Sequence, residues 1–380
     1  MLFRPNPVLT LGQKVLGLHW GLLGLLAALA AIGSTMLYSA AGGSLDPWAS
    51  RHAIRFAMTA ALMIGVALVD VRVWFRWAYW IYAIALLLLL AVDVMGTIGM
   101  GAQRWISLGV IQIQPSEVMK VAVILALARF FHGQTLAEIG RPLTLVVPLV
   151  LVLLPVALVM KQPDLGTACV ILMVSGMIFL LAGVRLWKFL LVAVVVGACV
   201  PLGWSMLHDY QQQRVLTFLD PARDPLGAGY HITQSKIALG SGGIFGKGFL
   251  QGSQSHLNFL PEKQTDFIFT MLGEEFGMIG GLAVLTIFLL IFVYGYVIAF
   301  RSRSHFGRLL AAGLTCNLFL YVFINVAMVM GLIPVVGVPL PLISYGGTAM
   351  LTILVSSGLL MGVSIHREVH IPRRGAGDDG

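Results

Sequence analysis

The sequence predicts an all-α integral membrane protein with ten transmembrane helices, both termini cytoplasmic, and one large extracytoplasmic loop at 208–265. Three observations carry this. Of 380 residues, 58% are hydrophobic and only 11% are charged, against about 25% charged in a soluble domain. The chain therefore cannot clothe a water-facing surface, and its mean hydropathy is +0.92. Apolar runs near the ~20 residues needed to cross a bilayer recur along the whole length. Lipid tolerates only backbone that bonds itself, which selects helices and leaves few strands. No internal repeat is visible, which weighs against an inverted-repeat transporter. Residues 1–380 read as one polytopic domain.

The ten runs are 17–40, 53–69, 74–95, 116–131, 143–160, 166–183, 187–207, 270–300, 307–332 and 346–365. The first competes with a signal peptide, since Arg4 and Lys14 precede it, but it is too long for an h-region and nine runs follow. The fourth is short and the eighth long for a span. Cys169, Cys199 and Cys316 fall inside runs and form neither a C-x-x-C pair nor a zinc spacing, so they read as packing residues. Of the 24 Lys and Arg, fourteen fall on the side holding both termini and four in the short loops opposite. The positive-inside rule makes the first side cytoplasmic. The net charge of +8 follows from this bias and calls for no nucleic acid.

The polar chemistry collects on the outer side in four clusters. In "GAQRWISLGVIQIQPSEVMK", 101–120, Arg104 and Trp105 lie in an outer loop, and Ser116 after Pro115 is expected to cap the fourth span. Glu117 and Lys120 then share a helix face as a pair, structural or functional. Within "KQPDLGT", 161–167, Asp164 suits a turn and helix N-cap. The long loop contains "GSGGIFGKG", which fails the Walker pattern because Ser241 stands where its first glycine belongs and Gly248 follows Lys247. With Lys236 and Lys247 nearby, this backbone reads either as a soluble loop or as an approach to a lipid phosphate. The stretch "IPVVGVPLPLISYGG", 333–347, holds too many prolines and glycines for a helix and carries Ser344 and Tyr345. Asn317 and Asn325 in the ninth span read as helix–helix glue. An outward cavity rimmed by Asp, Arg, Lys and Gln suits a ligand with a polar head and a lipid tail, served by an enzyme or by a transporter.

Several stretches carry a family resemblance: "GAQRWISLG", "QPSEVMK", "KQPDLGT", "HDYQQQRV", "DPLGAGYHITQSKIALGSGGIFGKG", "LPEKQTDFIF" and "VGVPLPLISYGG". Together they resemble the SEDS family (shape, elongation, division, sporulation), most like its rod-shape branch. The resemblance runs from the second span to the tenth. It implies a peptidoglycan glycosyltransferase of the bacterial cytoplasmic membrane that polymerises lipid II during cell elongation. It also implies a class B penicillin-binding protein as partner, contacted through the eighth and ninth spans, where Gly295, Asn317 and Ala327 would admit a close helix. Membrane lipids and other cell-elongation proteins complete the expected surroundings.

The resemblance places the family's essential acidic residue at Asp266, and other sensitive positions at Arg51, Trp105, Glu117, Lys120 and Asp164. Residue chemistry agrees for Asp266, which stands against the apolar Phe267-Ile268-Phe269. A carboxylate beside an apolar wall becomes a stronger base, and a sugar hydroxyl needs one to attack an anomeric carbon. The leaving lipid diphosphate calls for cations, for which Arg51, Arg104, Lys236 and Lys247 are candidates, with Ser344 as a further polar contact. No cofactor is implied; a divalent cation could share the neutralisation, and no metal motif is present. A lipid II flippase using Glu117, Lys120 and Asp164, or a non-catalytic scaffold, are the alternatives.

Overall fold

The computed structural model describes residues 10–99, 102–107, 112–206, 209–220, 228–256 and 262–372. Arg4, His208, Arg223, Arg373 and Arg374 lie outside the described residues. The elements run α1 Leu11–Leu16, α2 Trp20–Ala40, α3 Ala49–Leu68, α4 Val71–Met95, β1 Thr97–Gly99, β2 Ala102–Ser107, β3 Gln112–Ile113, α5 Pro115–His132 and α6 Leu136–Gly140. They continue with α7 Val146–Lys161, α8 Leu165–Ala182, α9 Leu186–Met206, α10 Asp209–Leu219, α11 Ala228–Ser241, α12 Ser253–His256, α13 Ile268–Arg301, α14 His305–Val329 and α15 Gly347–Ile365.

A helix stands at each of the ten expected stretches, and among the described residues eight helices are long and apolar enough to cross a membrane. The protein is a helical membrane protein. Of the other two, α5 is the instructive one. It packs against α4, α7, α8, α14 and α15, and 15 of its 18 residues are buried. Facing protein on all sides, it does not need the hydropathy of a lipid-facing helix. Pro115 opens it, with Gln114 as the N-cap residue. The cap is thus two residues earlier than Ser116, because proline's missing N–H and fixed φ suit the first helical position.

Two features depart from the sequence reading. The segment between α4 and α5 is not plain loop but a small antiparallel sheet in the order β1-β2-β3. Trp105 pairs with Thr97, and Ile106 with Ile113. β-Branched and aromatic residues suit such a pleated surface, and pairing satisfies backbone at the membrane edge.

The second departure is a break in the eighth span. Gly277 adopts φ 65°, ψ −162°, a backbone region open essentially to glycine alone. The break frees backbone groups on both sides, and the glycine-rich loop collects them. Lys247 N and Gly248 N donate to the carbonyls of Glu274 and Glu275, each at 3.0 Å. In return, Met278 N donates to Gly243 O at 2.9 Å and Ile279 N to Ile244 O at 3.2 Å. A Cβ at Gly246 would strike the Glu275 carbonyl, and one at Gly277 the Gly246 amide. Gly242 and Gly246 of "GSGGIFGKG" lie directly against the backbone of α13, where a side chain would not fit. Elsewhere in 208–265 the described residues form α10, α11 and α12 joined by turns; residues 221–227 and 257–261 lie outside the described residues.

Alanine normally stabilises a helix relative to glycine by about 1 kcal/mol. At Gly277 the sign reverses. Gly277→Ala should destabilise by about 1–3 kcal/mol from backbone strain alone, and Gly246→Ala should also destabilise. Thermal unfolding of the purified protein checks this; a melting point at or above the parent's for both would mean that the break is not held as described.

Candidate active site

Asp266 lies in a turn built by Glu262. Thr265 N donates to Glu262 O at 3.0 Å, and Thr265 Oγ1 and Gln264 Nε2 donate to Glu262 Oε2 at 3.1 and 3.2 Å. Phe267, Ile268 and Phe269 are all buried. The apolar run thus enters protein rather than lipid, and Asp266, half-buried, is the last polar residue before it.

Three groups fix the backbone beneath the carboxylate. Asn325, on α14, donates from one Nδ2 to Asp266 O at 3.0 Å and to Val338 O at 2.8 Å. Ser344 Oγ donates to Thr265 O at 2.6 Å and accepts from Leu340 N at 2.8 Å. Tyr345 N donates to Gln264 O at 2.8 Å. Residues 264–266 and 338–345 are therefore one stapled unit. Asn325 reads in the sequence as helix–helix glue; in the structure its amide joins two loops. Asp266 Oδ2 would stand 3.5 Å from a Cβ built on Gly337, so the carboxylate faces a residue without a side chain.

The other expected residues fall into separate groups. Asp164 caps α8, accepting from Thr167 N at 3.2 Å and Thr167 Oγ1 at 2.9 Å. Gln114 Nε2 reaches it at 3.4 Å. Arg104 donates to Gln162 O at 3.2 Å and Pro163 O at 2.5 Å, setting a cation on the carbonyl end of α7. Trp105 is half-buried in β2 beside it. This group adjoins the Asp266 unit, because Gly166 packs against Val336 and Val338.

Glu117 and Lys120 form a buried ion pair at 2.6 Å. Tyr321 OH donates to Glu117 Oε2, Lys120 Nζ donates to Tyr321 OH, and Thr352 Oγ1 donates to Glu117 Oε2 at 3.2 Å. A charge at mid-membrane costs roughly 2.5–3.5 kcal/mol on insertion scales and survives by pairing or by facing a cavity. Here it pairs, and the four side chains close on one another.

Three cations stand elsewhere. Lys247 binds the fully buried Glu274 at 2.7 Å, whose Oε1 also accepts from Gln254 N at 2.9 Å. Lys236 is exposed on α11 against Gly331. Arg51 is exposed on α3. One turn on, Arg55 lies with its guanidinium 4.9 Å from the centre of the Tyr345 ring, so Arg55 meets the loop next to Asp266. The i, i+4 spacing of the two arginines was the available signal. Glu274 and Glu275 also went unread, although two adjacent carboxylates inside an apolar run signal a partnered site. Glu275 accepts from Ser39 Oγ at 2.5 Å. At the rim, burial lowers the pKa of the Lys263 ammonium below its ordinary value. Among the described residues no group of three or more His, Cys, Asp or Glu is placed to hold a metal ion.

If Glu117 and Lys120 neutralise one another, removing either strands a buried charge. Glu117→Ala and Lys120→Ala should each cost about 3–5 kcal/mol of stability, and the double substitution less than the sum. Unfolding of the three variants checks it; strict additivity would mean that the two charges do not interact.

Residues 13–369 match the family profile FtsW/RodA/SpoVE, described as cell cycle proteins. The chain is 45% identical over 351 residues to the peptidoglycan glycosyltransferase MrdB of Escherichia coli (strain K12), covering 91% of this chain and 93% of that protein. It is 33% identical to the peptidoglycan glycosyltransferase RodA of Treponema pallidum, covering 89% of this chain and 95% of that one. Its fold is similar to a chain of a solved peptidoglycan synthase complex said to coordinate polymerization and crosslinking. That likeness has a TM-score of 0.79 at 33% identity and covers 92% and 98% of the two chains. It is also similar to the rod shape determining protein RodA of Thermus thermophilus, with a TM-score of 0.71 at 28% identity over 93% and 98% of the chains. The match over nearly the whole length, in sequence and in fold, means that this chain belongs to the FtsW/RodA/SpoVE, or SEDS, family of cell cycle proteins.

Proposed function

We propose that this chain is a peptidoglycan glycosyltransferase that polymerises lipid II into glycan strands at the outer face of the bacterial cytoplasmic membrane during cell elongation. The observation that carries this reading furthest is the mounting of Asp266. A half-buried carboxylate sits above a buried apolar run, with its backbone held by Asn325, Ser344 and Tyr345 and its oxygen facing Gly337. General bases work when held still at the reacting atom.

In the proposed step, an Asp266 carboxylate oxygen takes the proton of the acceptor sugar hydroxyl. The hydroxyl oxygen bonds to the anomeric carbon of the donor, and the bond from that carbon to the undecaprenyl diphosphate oxygen breaks, its electron pair leaving with the diphosphate. Arg55 and Lys263 stand at the same rim and are assigned, with Arg51 and Lys236, to the developing negative charge. A divalent cation bound to the diphosphate would add to that neutralisation. Arg104, Trp105, Asp164 and Ser344 shape the walls, and Glu117 with Lys120 braces α5 behind them. A flippase would need Glu117, Lys120 and Asp164 along a path, whereas all three are buried and hydrogen-bonded, which favours the enzyme reading. Ten spans, cytoplasmic termini and an outer cover at 208–265 complete the arrangement.

Asp266→Asn keeps size and removes basicity. It should lower polymerisation of purified lipid II by at least about 10²–10⁴-fold, with membrane insertion intact. Wild-type turnover in that variant would remove Asp266 as the base.

The proposed partner is a single-span class B penicillin-binding protein on the eighth and ninth spans. The contact residues named from sequence are corrected: Gly295, Asn317 and Ala327 are all buried inside the protein. Gly295 packs on Thr315 of α14, so its small size serves an internal contact. Ala327→Trp would overpack the core. The outward apolar face there carries Phe319 and Phe323, 43% and 50% exposed and stacked with centroids 5.8 Å apart. Phe319→Ala with Phe323→Ala should reduce co-purification with the partner while leaving the melting temperature of the isolated chain nearly unchanged. Undiminished complex formation would move the contact elsewhere.

A further inference from the structure

A second site lies at the other end of the bundle from Asp266. Arg301 ends α13, Arg367 follows α15, and His19 precedes α2; together with Ser364 they rim a cavity of about 260 Å³. The Asp266 unit lies at the opposite ends of α13 and α15, so the two sites are separated by most of a membrane thickness.

The rim is cationic. The carboxylate beside it is Glu368, which is bound to Arg303 at 2.9 Å and stands 3.7 Å from Arg367 Nε. Two guanidiniums, Arg303 and Arg367, thus share one carboxylate, and among the described residues Arg301 holds none. His19 Nε2 and Ser364 Oγ, 2.6 Å apart, add a neutral polar pair with hydrogen-bonding capacity. The imidazole meets the Tyr294 ring edge-on at 6.0 Å, which keeps the rim in place. Below the rim the wall is apolar and faces outward, with Val293 and Val297 51% and 38% exposed. The cavity therefore opens sideways onto the acyl region as well as toward the basic end.

We infer that this pocket binds a phosphate ester through Arg301 and Arg367, and that its occupant is the headgroup of an anionic phospholipid with an acyl chain along Val293 and Val297. Guanidinium forks match phosphate oxygens, and basic pockets between membrane helices on the cytoplasmic side recognise acidic headgroups. A soluble phosphate would use the arginines and leave the lipid-facing wall uncovered; a phospholipid uses both. On the orientation proposed above, this end meets the inner leaflet, where the fourteen basic residues collect. The site is separate from the polymerisation chemistry, and its occupancy is read by binding rather than by turnover.

Native mass spectrometry of the full chain, purified in detergent and titrated with phosphatidylglycerol, tests it. Phosphatidylglycerol should remain bound, and phosphatidylcholine should bind more weakly. Arg301→Gln with Arg367→Gln should weaken phosphatidylglycerol binding by about thirtyfold, from roughly 1 kcal/mol per arginine. Val297→Trp should also weaken it by filling the wall without changing charge. Excess inorganic phosphate should leave the lipid bound. Displacement by inorganic phosphate, with no effect of Val297→Trp, would assign the pocket to a soluble anion and overturn the lipid reading. Equal retention of phosphatidylglycerol by the parent and the double arginine variant, both with unchanged melting temperatures, would overturn the site altogether.

Discussion

Backbone groups that leave a helix inside a membrane protein must find partners within the protein, and this fold is organised around meeting that demand in two places. At Gly277 the eighth span opens, and its freed carbonyls and amides are taken up by residues 243–248. Between α14 and α15 the chain runs without helix from 330 to 346, and Asn325, Ser344 and Tyr345 join that run to the turn at 262–267. Unpaired, such groups would cost several kcal/mol each in hydrocarbon. Paired with one another, they turn two irregular segments into fixed scaffolding, and the candidate base stands on one of them.

Charge is handled by the same economy of partners. The ion pair of α5 is enclosed with Tyr321 and Thr352, in a helix that touches little lipid. Glu274 is enclosed with Lys247, Ser253 and Gln254. Asp266 differs: its backbone is clamped while its carboxylate stands at a half-buried rim. Full burial among fixed partners suits a brace, and partial exposure on a rigid mount suits the role proposed for Asp266.

Much of this was legible in the sequence because lipid imposes a coarse code. Apolar runs locate α5 and α15 to within a residue or so of 116–131 and 346–365. The place of Asp266 at the entry of a buried apolar run was legible, because a carboxylate against three apolar residues is expensive wherever they go. Asp164 as a cap was legible from local turn chemistry. The break at Gly277 was not, since "EEFGMIGG" holds three glycines with nothing local to mark which one leaves the helix, and its partner lies some thirty residues away. Arg55 was missed for Arg51 because rotation about a helix decides which of two arginines meets a loop. Gly295 and Ala327 mark close packing, and composition does not say whether the neighbour is internal or a second protein. The short sheet escaped because β1 and β3 are brief and flanked by residues that equally suit a loop.

The opened helix also determines how motion travels through the molecule. A continuous 34-residue rod would carry a displacement at Arg301 straight to its far end beside Asp266. With the rod cut at Gly277, the two pieces meet through a strip of loop backbone. The longer piece bonds residues 243–248, and Lys247 of that strip binds Ser253 and Glu274, the latter on the shorter piece that leads back to the turn holding Asp266. Residues 243–248 are therefore a coupling between the two pieces of the eighth span, and glycines set how closely it is meshed.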